Sequence, residues 1–190
     1  MNEQGVQTLE EPDLLAVRML NEFAYCPRLF HLMHVQGRWA DNGYTVEGRN
    51  VHRRVDQLDH VLPDPDGTES PPDGSGGGEP SGDAPAGDDP PTISRSVVLG
   101  SQELGLTAKL DLVSTADGWA VPVETKRGRV PNNEQRSYEP ERVQLMAQGL
   151  LLREHGYQCD HGVLYFAGSR TRVDVPFTGE LEFVDRKSVV

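Results

Sequence analysis

The sequence predicts an α/β domain with a mixed central sheet flanked by helices. Three observations carry that expectation: helical periodicity before residue 63, alternation of period two in three consecutive segments from 93 to 128, and a helical segment followed by two more alternating ones after 139. A chain of 190 residues with 36% hydrophobic content has room for one domain with a real core, so 1–190 is read as a single unit.

In chain order, "LLAVRMLNEFAYCPRLFHLMHVQG" has helical spacing and is broken at Pro27, because proline cannot continue a helix through its own position. "GRNVHRRVDQLDHVL" follows as a second helix. From 63 to 92 the chain is rich in Pro, Gly, Ser and Asp and nearly free of large apolar groups, which leaves it too little surface to offset its ordering entropy; it is read as a mobile insertion. "ISRSVVLG", "LGLTAKLDLVST" and "WAVPVETKRG" alternate as strands, the last two joined through Ala116, Asp117 and Gly118. "EPERVQLMAQGLLLREHG" is a helix with Pro140 at its start and Gly156 at its end. "HGVLYFAG" and "TRVDVPF" are two further strands, and "TGELEFVDRKSVV" begins a final helix.

The formal charge of -12 argues against a nucleic-acid partner only until its distribution is considered. Eight acidic residues and no Lys or Arg lie between Asp64 and Pro91, and without them the remainder stands at -4. No apolar run reaches membrane-spanning length and the N-terminal residues lack an apolar core, so a cytoplasmic protein with no membrane partner is expected. Two cysteines, Cys26 and Cys159, make no disulfide framework.

Chemistry concentrates in "VPVETKRG". Period two puts Glu124 and Lys126 on one face of a strand, with Val121, Val123 and Thr125 on the other. If Asp117 and Gly118 form a two-residue turn, paired residue numbers sum to 235 and Asp111 faces Glu124. Facing carboxylates have Cβ atoms roughly 4.5–5.5 Å apart and repel. A hard divalent cation such as Mg²⁺ or Mn²⁺ reverses that penalty, and Lys126 on the same face can orient a water or stabilise charge on a phosphate. An Asp followed by Glu-x-Lys on the next strand is the pattern of the PD-(D/E)xK, restriction-endonuclease-like phosphodiesterases. A surface charge pair on a solvated strand would also read Glu-x-Lys. His52 sits in a helical segment with Arg49, Arg53 and Arg54, a basic cluster suited to phosphate contacts or to a solvated face. Cys26, His31 and His34 have spacings that suggest zinc, but they supply only three ligands and Pro27 separates them; the histidines are read as packing with Phe30 and Leu32.

Beyond these residues, "NEFAYCPRLFHL", "EGRNVHRRV", "LTAKLDLV", "VPVETKRG", "RVQLMAQGLLLREHG" and "HGVLYFAGSRTRVDVPFT" together resemble the CRISPR-associated RecB-like nucleases of the fourth numbered Cas family, which act in spacer acquisition. The resemblance implies a metal-dependent deoxyribonuclease that trims the overhangs of prespacer DNA for an integrase complex, either separate or fused in the same chain. The alternative is a non-cutting module that binds DNA and selects the adjacent motif. By this resemblance Asp111, Glu124 and Lys126 are catalytic, and His52, Asp111, Glu124 and the Thr125 carbonyl hold Mn²⁺ or Mg²⁺. Gln144 supports the site or DNA. The family's 4Fe–4S cluster would take Cys26 as one ligand, with the other three cysteines expected beyond residue 190, as in a longer polypeptide; a cluster-free variant is the other option. Cys159 falls outside the family's cysteine pattern and is read as buried.

Overall fold

The computed structural model describes residues 14–38, 62–63, 65, 91–179 and 181. The expected helix around His52, with Arg49, Arg53 and Arg54, lies outside these residues, as does nearly all of the insertion and of the final helix.

The chain enters through a two-residue strand, β1 (Leu15–Ala16), and turns into α1 (Val17–Tyr25). Pro27 ends α1 as expected: Cys26 is extended, α2 (Pro27–Phe30) restarts with the proline in its first turn, and a π-helical turn (His31–Val35) completes the segment. The meander β2 (Thr92–Ser101), β3 (Leu106–Ala116) and β4 (Trp119–Lys126) follows. Asp117 at φ 49 and Gly118 at φ 76 make the tight turn, and Leu112–Val123 through Ala116–Trp119 pair in the expected register. Helix α3 (Glu139–Glu154) crosses over and returns the chain as β5 (His161–Phe166), parallel to β4; β6 (Thr171–Pro176) closes the sheet antiparallel to β5. Gly156, at φ 91, lets the chain leave α3.

The sheet splits along β3. Leu106 pairs with Leu15 of β1 and with Ser101 of β2, so these two strands flank it on opposite sides. Leu112–Thr115 likewise lie between β2 and β4. Strands β1 and β4 therefore share one side of β3 at opposite ends, and residues 108–111 have neither beside them. Beyond Val123, β4 runs on beside β5, with Glu124, Thr125 and Lys126 paired to Leu164, Tyr165 and Phe166.

Helix α3 covers the split. Its buried residues run from Val143 to Leu152, and Val143, Ala147, Leu151 and Leu152 join Val17 and Leu20 of α1 and Leu106, Leu110 and Val113 of β3 in one core. Gly149 makes room here: an added Cβ would overlap the Phe177 ring, so Phe177 crosses the helix in its present place because the residue beneath it is glycine. The margins of the expected insertion belong to the domain, because Thr92 is in β2, Leu62 packs on the core, and the Tyr157 hydroxyl donates to the Pro63 carbonyl.

Candidate active site

Four of the candidate side chains, Asp111, Glu124, Lys126 and Gln144, come together where the sheet splits. Past its last rung with β3, β4 continues beside β5 and brings Glu124 and Lys126 against α3 on the face that period two assigns them. The Asp111 carboxylate takes over from the ladder: its Oδ2 accepts the Thr125 N–H at 2.9 Å. The expected Asp111–Glu124 facing thus becomes a side-chain bond to the residue after Glu124.

Glu124 is only 4% exposed, and a buried carboxylate must find donors. It has three. Gln144 Nε2 donates to Oε1 at 2.9 Å, Lys126 Nζ donates to the same oxygen at 3.1 Å, and Gln148 Nε2 donates to Oε2 at 2.8 Å. Gln144 returns the contact, its Oε1 accepting from Lys126 Nζ at 3.0 Å and from Asn21 Nδ2 of α1 at 3.1 Å. Gln144 and Gln148 are four residues apart, so they stack on one stripe of α3. Gln148 and Asn21 escape the sequence reading. The i, i+4 spacing after Gln144, in the otherwise apolar stretch from Val143 to Leu152, marks Gln148; nothing local marks Asn21.

These groups line a cleft of about 500 Å³ with Ala16, Arg18, Glu22, Lys109 and Asp111. Its lining carries three carboxylates, Glu22, Asp111 and Glu124, and oxygen donors of this kind are the chemistry a hard divalent cation selects. Among the described residues no three His, Cys, Asp or Glu side chains stand close enough to hold a metal ion. The histidine expected to join them, His52, lies outside those residues.

Cys26, His31 and His34 do not converge. His34 pairs through Nε2 with Glu22 and packs its ring on Phe30 at 5.1 Å, while His31 Nε2 contacts Gln36 at 3.2 Å. Cys26 is half-buried between α1 and α2. Cys159 is buried as expected, its thiol pushed up to about 12 by that burial and placed 3.7 Å from the His161 carbonyl oxygen.

No protein-family model matches the chain. Individual proteins do. A CRISPR-associated exonuclease Cas4/endonuclease Cas1 fusion from Geobacter sulfurreducens is 48% identical over 168 residues, covering 88% of this chain and 26% of that protein. In Rhodospirillum rubrum, a second such fusion is 36% identical over 178 residues, covering 90% of this chain and 27% of its own length. A CRISPR-associated exonuclease Cas4 from the same organism is also 36% identical over 178 residues, covering 90% of this chain and 46% of that protein. The chain thus spans between about a quarter and under half of the length of these relatives.

Proposed function

The chain is a homologue of CRISPR-associated Cas4 exonucleases and Cas4/Cas1 fusion proteins over about nine-tenths of its length, and from that premise we propose that it is a metal-dependent deoxyribonuclease of RecB-like fold that trims the ends of prespacer DNA for an integrase. The observation that carries the chemistry is the convergence of Asp111, Glu124 and Lys126 on one cleft at the split in the sheet.

Asp111, Glu124 and the Thr125 carbonyl would hold Mg²⁺ or Mn²⁺, with His52 as a nitrogen ligand. The ion, when bound, supplies Lewis-acid polarisation of the scissile phosphate and lowers the pKa of a water. The protein's own groups do the rest. The two glutamines fix the Glu124 carboxylate in rotation, so it meets substrate already oriented. Lys126, held between Glu124 and Gln144, places a positive charge where an attacking water or a developing phosphorane charge needs it. Arg18 and Lys109 line the same cleft and suit the phosphate backbone. Arg49, Arg53 and Arg54 are proposed as further phosphate contacts.

The iron–sulfur cluster is a separate matter. These residues offer Cys26 but no second available thiolate, because Cys159 is buried with its thiol pushed up to about 12. A four-thiolate cluster on Cys26 therefore requires three cysteines from outside the 190 residues.

The test is cleavage of duplex DNA bearing a single-stranded overhang, with Mn²⁺ or Mg²⁺ titrated in. Glu124→Gln and Lys126→Ala should each lower the rate by at least about 100-fold while leaving the fold intact. Retained cleavage in both variants removes the assignment. Binding of the overhang without cleavage under either metal favours the motif-selecting module instead.

A further inference from the structure

Asp111 holds an unusual position in its strand. Arg95 pairs with Leu112 and Val97 with Leu110, so Ser96 stands opposite Asp111, yet that rung is missing from the β2–β3 ladder. On the other side, the β3–β4 ladder stops at Leu112–Val123 and the β1–β3 ladder at Thr107. Asp111 is the one residue of β3 with a rung in none of the three ladders, and its side chain bonds the Thr125 N–H instead.

The cause of the missing rung is visible at Ser96. Its φ is 53, in the left-handed region, in the middle of a strand and with only 1% of its surface exposed. Contact between Cβ and the following carbonyl disfavours that conformation for every residue with a side chain. A buried serine keeps it only where surrounding structure demands it. The demand is coordinated across both strands. Along β3 the buried positions run Leu106, Ala108, Leu110 and then Val113, Thr115; along β2 they run Ser101, Leu99, Val97 and then Ser96, Ser94. The buried set changes parity on both strands at the same rung.

We propose that Ser96 is a positioning residue for Asp111. Its left-handed backbone takes β2 out of the ladder at that one rung, so that Asp111 is set by the Thr125 N–H and presents its carboxylate to the cleft. This rests on the nuclease reading for its consequence in catalysis, but its structural half stands by itself.

Two substitutions in the full-length protein separate backbone from hydroxyl. Ser96→Gly deletes the hydroxyl and adopts positive φ freely; Ser96→Thr keeps the hydroxyl, but its β-branch resists positive φ. Hydrogen exchange at the Thr125 amide, measured without metal, reads the Asp111 bond directly. The glycine variant should keep wild-type protection at Thr125, the wild-type Mn²⁺ midpoint for cleavage, and kcat within about threefold of wild type. The threonine variant should exchange Thr125 at least about tenfold faster, need more Mn²⁺ and lose kcat at unchanged KM for DNA. Wild-type exchange and Mn²⁺ midpoint in the threonine variant would overturn the proposal. So would loss of Thr125 protection in the glycine variant, which decides the matter if the threonine variant fails to fold. A wild type that never cuts DNA sinks the nuclease reading and leaves the exchange comparison valid.

Discussion

A carboxylate such as Glu124, buried to 4% exposure, would be a liability without its three donors. Gln144 and Lys126 share Oε1, whereas Gln148 donates to Oε2, so Gln148→Leu leaves that oxygen desolvated without its glutamine donor and should cost about 1–3 kcal/mol in urea unfolding. It should also slow cleavage, because the carboxylate then rotates. A variant as stable and as active as wild type would show that Gln148 only fills space. At this scale the sequence is informative about the charged groups and about Gln144, and less so about the rest of their support. Period two announces Glu124 and Lys126 and the i, i+4 spacing after Gln144 marks Gln148, whereas Asn21 acts through a tertiary contact that no local pattern encodes. Cys159 gives a second test. Burial raises its thiol from 9.0 to about 12, so between those values the unfolded chain ionises and the folded one does not, and stability should fall as pH rises past 9.0. Cys159→Ala should flatten that decline; an unchanged pH profile would count against a buried thiol.

Elements between 92 and 176 were legible because each signals locally: alternation for the strands, Asp-Gly for the hairpin, Pro140 and Gly156 for the ends of α3. The two-residue β1 was not. A segment that short has no period, and Leu15 and Ala16 read as the first turn of α1 until Leu106 and Thr107 claim them as parallel partners. The π-helical turn at His31–Val35 was equally silent. The split in the sheet is an outcome of pairing and could not be read from any one strand. At this scale the close crossing of α3 and Phe177 makes a sharp prediction. In Gly149→Ala a Cβ would lie 2.2 Å from the Phe177 ring, and the ring must shift; overpacking of this kind costs about 1–3 kcal/mol. Alanine normally stabilises a helix interior over glycine, so a raised Tm would contradict the packing described.

For the molecule as a whole, charge and chain connectivity matter most. Eight acidic residues and no basic ones lie between Asp64 and Pro91, inside a formal total of -12. Replacing 66–90 with a short Gly-Ser linker should change Tm by no more than a few degrees, since closure entropy depends weakly on loop length, and should tighten DNA binding at low salt. A large drop in Tm would show that the segment packs. Among the described residues no helix is long and apolar enough to cross a membrane. The bond from Asn21 to Gln144 spans 123 positions, whereas Asp111, Glu124, Lys126, Gln144 and Gln148 are joined through contacts no more than 24 positions apart. In kinetic terms the reactive groups belong to a locally wired half that can assemble early, while α1 must close a long loop before it contributes. Two polypeptides, 1–65 and 91–190, would then form a complementing pair, and under the proposed function DNA cleavage would report the docking of the first, with Arg18 and His52, onto Asp111, Glu124 and Lys126 in the second.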